Sequence, residues 1–128
     1  VYHSAVEAYK NVQKTTMSGR DIEASVLSRA ALMLKQCQDH WNDANHRNDL
    51  RDALKFNQLI WSIFQNELHS DENPLPKPLR VDILRLSAFI DRRIFEIMAY
   101  PAPEKLTAII NINENLAAGL RGSPSGRS

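Results

Sequence analysis

Apolar residues recur along this chain every three or four positions, in blocks separated by polar or proline-rich stretches. Recurrence at i, i+3, i+4 and i+7 predicts amphipathic helices, and no block alternates with the period of two that a half-buried strand requires. The most apolar block, Leu50 to Leu68, organises the rest. At about 100° per residue, Leu50, Ala53, Leu54, Ile60, Trp61, Phe64 and Leu68 form one broad row, and Phe56, Leu59 and Ile63 lie beside it. What remains is a narrow polar strip of Arg51, Lys55, Gln58, Ser62, Gln65 and Asn66. A helix apolar over more than half its circumference needs cover from two directions, and each large side chain it buries contributes roughly 1.5–3 kcal/mol. This block is therefore expected to form the central helix.

Around it the chain reads as four further helices. Tyr2, Ala5, Val6 and Tyr9 predict a short first helix, interrupted by Thr15, Thr16, Ser18 and Gly19. Ser18 stands three residues before Asp21, a loose capping box, and opens a second helix with Ile22, Val26, Ala30, Met33, Leu34, Cys37 and Trp41 on one stripe. Asn42 to Asn48 is rich in Asn and Asp, which favour turns. Proline at 74, 76 and 78 ends the central helix, although Pro76 and Pro78 suit the first turn of the next one, where backbone N–H groups lack partners anyway. The fourth helix carries a main stripe of Leu79, Ile83, Leu86, Ile90, Ile94 and Ile97, with a second row of Val81, Leu84, Ala88 and Phe95 on its far side. After Pro101 and Pro103, a last helix carries Leu106, Ile109, Ile110, Leu116, Ala117 and Leu120 and is expected to stop around Gly119 to Gly122. The five helices fall near residues 2–13, 20–41, 49–69, 77–99 and 104–120. The expected fold is all-α: a compact bundle of about five helices around a central apolar helix, forming one domain over residues 1–122 with a disordered tail at 123–128.

Composition changes this picture little. With 128 residues, 43% apolar and 24% charged, the chain is of ordinary globular make-up. A net charge of +1 provides no global field for nucleic acid or an anionic membrane. The single cysteine, Cys37, rules out an internal disulfide and fits a reducing compartment. No apolar run reaches signal-peptide or membrane-spanning length, so no membrane insertion is expected.

Catalytic chemistry finds no foothold. His40 and His46 are six residues apart across an expected turn, and His3 and His69 stand alone, so surface histidines are expected in place of a metal site. Cys37 lies on an apolar stripe, where an inert buried thiol is the natural reading. The four glycines fall in no phosphate-cradling spacing. Lys77, Arg85 and Arg92, with Arg80 at the edge, share an arc of the fourth helix, but Asp82, Asp91 and Glu96 break the field, which disfavours direct RNA binding. No enzyme, metal or cofactor is expected. One polar residue stands out: Asn113 points to the centre of the last apolar stripe, while Asn111 faces the polar side. A buried Asn needs hydrogen-bond partners or costs roughly 1–3 kcal/mol. It is either a core amide or a polar reader in a groove that meets a partner helix.

Two stretches resemble a known family. Ile60-Trp61-Ser62-Ile63, followed by Leu68, Ser70, Glu72-Asn73, Leu75-Pro76 and Leu79-Arg80, is similar to the signature of the flagellar biosynthesis regulator FlaF. So is the tail of Ile109, Ile110, Ile112-Asn113, Leu116 and Gly119-Leu120. Tyr2 and the aliphatic second helix also fit, while Pro74, Pro78 and Gln65 depart from the pattern. The resemblance implies a cytoplasmic bacterial protein controlling flagellin production, associated with flagellin delivery to export, working beside the regulator FlbT and requiring no cofactor. Three functions compete: a flagellin-binding export chaperone, a post-transcriptional regulator of flagellin mRNA acting with FlbT, and a homo-oligomeric structural module. The first leads. Its candidate partner-binding residues are Phe56, Leu59 and Ile63 on the central helix, Val81, Leu84 and Phe95 on the fourth, and Asn113, provided the two second rows adjoin as a groove for an amphipathic flagellin helix.

Overall fold

A computed structural model describes residues 19–122. They form four α-helices, α1 (Gly19–Asp39), α2 (His46–Leu68), α3 (Lys77–Ala99) and α4 (Thr107–Gly122), with a 3-10 turn, Pro103–Leu106, leading into α4. No strand occurs among the described residues, in keeping with the absence of period-two alternation. There are four helices here where five were expected. The helix expected near residues 2–13, the Ser18 capping arrangement and the tail from residue 123 lie outside the described residues.

α2 is central, as its two apolar rows require. Trp61 is fully buried, and Leu54 and Ile60 are nearly so. α1 packs most extensively along α4 and then against α2, while α3 leans mainly on α2. α2 runs unbroken from His46, three residues before its expected start. The polar stretch ahead of it is a tight turn in which His46 N donates to Asp43 O (3.1 Å) and Asp49 N to Asn45 O (3.0 Å). The Trp41 and His46 rings meet with centroids 4.0 Å apart. Trp41, expected as the last residue of the α1 stripe, therefore sits in the turn and His46 is half-buried against it.

The connection from α2 to α3 is built from side chains. Asn73 Nδ2 donates to Glu67 O (3.1 Å), and Leu75 N donates back to Asn73 Oδ1 (2.9 Å). Ser70 Oγ accepts from Glu72 N. The Arg80 guanidinium reaches back to the carbonyls of Leu68 (3.5 Å) and Ser70 (3.2 Å), placing a cation at the negative end of α2. Pro76 occupies the N-cap of α3 and Pro78 its first turn.

The buried line of α3 is narrower than expected: Ile83, Ser87, Ile90, Ile94 and Ile97. Leu79 and Leu86, assigned to the main stripe by sequence, are 45% and 36% exposed. Leu86 stands about 60° from the centre of the buried line, and α3 has one main neighbour, so the edges of its stripe stay open.

Candidate protein-interaction surface

At the centre of the domain three polar side chains are fully buried and bonded to one another. Asn57 Nδ2 donates to the carbonyls of Ala30 on α1 (3.2 Å) and Ala53 on its own helix (2.9 Å). Asn113 Nδ2 donates to Asn57 Oδ1 (2.7 Å), and Trp61 Nε1 donates to Asn113 Oδ1 (2.9 Å). The chain of bonds ties α1, α2 and α4 together. Asn113 has no exposed surface, so of its two readings the core amide describes this fold, and no partner reaches it while the domain is folded. Asn57 escaped the sequence reading. Its signal was there, because it continues the main row of α2 midway between Ala53 and Trp61, at four residues from each.

The remaining candidates divide. Phe56 is buried, and Leu59, Ile63 and Leu84 are half-buried and packed on the core. Val81 is 36% exposed and Phe95 75%. The two rows do not form the single groove expected of them. α2 meets α3 through Gln65, whose amide donates to Ser87 Oγ and to Asp91 Oδ2 (3.1 Å). Phe56, Leu59 and Ile63 lie roughly 120–180° round α2 from Gln65, on the side turned away from α3. Gln65, the polar departure from the family pattern, is matched by the buried Ser87.

The exposed apolar surface gathers on α3 instead. Of the seven large apolar side chains exposed among the described residues, six lie between Leu79 and Tyr100. Phe95, Met98 (51%) and Tyr100 (76%) crowd the C-terminal end. Met98 and Tyr100 were missed in the sequence, although Met98 follows Phe95 by three residues. Beside them opens a cleft of about 800 Å³ between the start of α2 and the end of α3, with Leu50, Leu54, Ile97 and Met98 among its apolar walls and Arg47 and Arg51 at its edge.

A second cleft, of about 480 Å³, gathers Cys37, His40, Asp43, His46, Asp49 and Asp52 between α1 and α2. His40 Nδ1 lies 3.3 Å from Asp43 Oδ2, yet among the described residues no three such side chains lie close enough to share an ion. Burial, with the charges of Asp49 and Asp52, pushes the Cys37 thiol up to about 11. It is a neutral packing group at ordinary pH and a poor nucleophile. The basic arc on α3 is likewise broken, since Arg80 caps α2 and Arg85 lies 3.7 Å from Asp82.

The family model described as flagellar protein FlaF matches residues 5–120. The chain belongs to the FlaF family. With that membership comes a role in flagellum biogenesis. No curated protein and no solved structure matches the chain. No helix among the described residues is long and apolar enough to cross a membrane. In this FlaF-family chain the two stretches that carry the resemblance meet inside the fold: Trp61 from the first bonds Asn113 from the second, while Ser70, Asn73 and Arg80 shape the turn between α2 and α3. These residues build the domain and leave its outer face to α3.

Proposed function

We propose that this FlaF-family protein is a flagellin-binding regulator of flagellum biogenesis, a cytoplasmic chaperone that couples flagellin synthesis to export by binding and without catalysis. The observation that carries this reading is the concentration of exposed apolar side chains along α3, ending in Phe95, Met98 and Tyr100. Isolated apolar residues on a surface are ordinary, but three large ones gathered at the end of one helix mark an interaction site. An amphipathic client helix covers such a cluster by laying its own apolar face against it. Flagellin and FlbT stand as partners in this reading, with regulation following from sequestering or releasing flagellin.

Titration of the purified protein with monomeric flagellin, followed by calorimetry and light scattering, tests the proposal. Saturable binding that Phe95→Glu abolishes supports it. Absence of binding by the folded wild-type protein sinks it. Self-association in place of flagellin binding moves the reading to the structural module.

A further inference from the structure

The cleft at the end of α3 has a chemistry that an apolar row alone lacks. Its walls are apolar, and Leu50, Leu54 and Ile97 within it belong to the buried core. Its volume of about 800 Å³ accommodates several large side chains. Its edge is basic. Arg47 and Arg51 line it along with His46, and no carboxylate does.

The two arginines are also electrically unspent among the described residues. Among the described residues neither lies within ion-pair reach of a carboxylate; Arg51 bonds only the Asn48 amide oxygen. Elsewhere Lys35, Arg85 and Arg93 each sit beside an acid of their own helix. The aspartates of the same stretch, Asp49 and Asp52, turn to the other side of α2, where they act on Cys37 of α1. The first turns of α2 are thus two-sided, with acids towards α1 and arginines towards the cleft. A guanidinium is a planar fork that matches a carboxylate with two parallel hydrogen bonds, and its stem covers apolar surface at the same time.

We propose that this cleft receives an apolar segment of a partner protein flanked by acidic side chains, the apolar residues entering between α2 and α3 and the carboxylates pairing with Arg47 and Arg51. Met98 forms part of the cleft, and the exposed Phe95 lies one turn back along α3, so the segment continues onto that ring. The inference rests on the reading of the protein as a binder of helical clients and adds the charge that selects among them. Trp41 and His46 also line the cleft, yet their rings pack on each other, so the cleft offers no series of free aromatic faces of the kind on which a single strand stacks successive bases.

The test uses the full chain and three fluorescent helical peptides that share one Leu/Phe face and carry Glu, Gln or Lys beside it. In low salt the Glu peptide should bind about tenfold or more tighter than the Lys peptide, with the gap closing in high salt. The double variant Arg47→Glu/Arg51→Glu should invert the order, Arg47→Gln/Arg51→Gln should level it, and Met98→Glu should weaken the uncharged peptide. Both arginines are exposed, so the charge variants keep the fold, as circular dichroism will check. Equal binding of all three peptides overturns the proposal. So does an order unchanged by the double variant, or tighter binding of a uridine-rich oligoribonucleotide than of the Glu peptide. A preference for the Glu peptide by a protein that ignores flagellin keeps this site and removes the flagellin reading. Flagellin binding without any peptide preference does the reverse.

Discussion

Trp61 Nε1 donates to Asn113 Oδ1 across 2.9 Å, and neither side chain has exposed surface. This bond joins the middle of α2 to the middle of α4, and through Asn57 it continues to the backbone of α1 at Ala30. A buried indole N–H or amide must be paired or carry its desolvation cost. The relay therefore selects one register of three helices whose aliphatic surfaces alone would tolerate several.

Asn113→Leu should destabilise the domain without regard to any partner. The substitution leaves Trp61 Nε1 without its acceptor and Asn57 Oδ1 without its donor, at roughly 2–4 kcal/mol for the pair. Urea denaturation measures it. A loss below about 0.5 kcal/mol, the scale of a neutral surface change, would show that the relay carries no such weight.

Phe95→Glu and Phe56→Glu should behave oppositely. Phe95 is three-quarters exposed, so its variant should keep the wild-type unfolding midpoint to within about 0.5 kcal/mol. Phe56 is buried, and a carboxylate there faces desolvation without a partner, so its variant should be severely destabilised. Thermal melts of the two proteins decide the matter before any binding is measured.

The turn between α2 and α3 should depend on Asn73. Its amide holds both the Glu67 carbonyl and the Leu75 N–H, so Asn73→Ala should cost about 1–2 kcal/mol in denaturant unfolding. Hydrogen exchange should quicken at Leu75 and at the last turn of α2. Unchanged protection at both places would contradict the assignment.

Cys37 should react slowly with disulfide reagents at pH 8 and normally once the chain is unfolded. Its thiol is raised from 9.0 to about 11 in the fold, first by burial and then by Asp49 and Asp52. The folded state therefore holds a proton that the unfolded state releases. The stability this represents is complete below pH 9.0 and declines as pH rises towards about 11. Comparing wild type with Cys37→Ala in alkaline unfolding checks the sign: the difference should favour the wild type less as pH climbs through that window.

Much of this architecture was legible in the order of residues. The unbroken apolar rows of Leu50 to Leu68 called for a helix covered on two sides, and α2 is that helix. The span of α3 followed from Pro78 at its start and the break at Tyr100-Pro101, because a proline ring suits the first turn of a helix and disrupts its interior. Asn113 announced itself by sitting on an apolar stripe. Its role stayed open because one helix cannot show whether its stripe faces another helix or water. Residues 61 and 113 are far apart in sequence, so the bond between them is absent from any local pattern.

Period and punctuation, then, determined the helices and the apolar face of each, since both depend only on neighbours three or four residues away. Which faces meet was decided by packing in three dimensions. α2 offers its Gln65 edge to α3, and this turns Phe56, Leu59 and Ile63 away from the row they were expected to join. Among the described residues α1 and α4 take most of the mutual burial, and this leaves α3 with one main neighbour and Phe95 and Met98 exposed near its end. The basic-edged cleft exists only because the start of α2 and the end of α3, nearly fifty residues apart in the chain, are brought side by side. A helical wheel gives directions within one helix. Only the contacts among helices give those directions a partner.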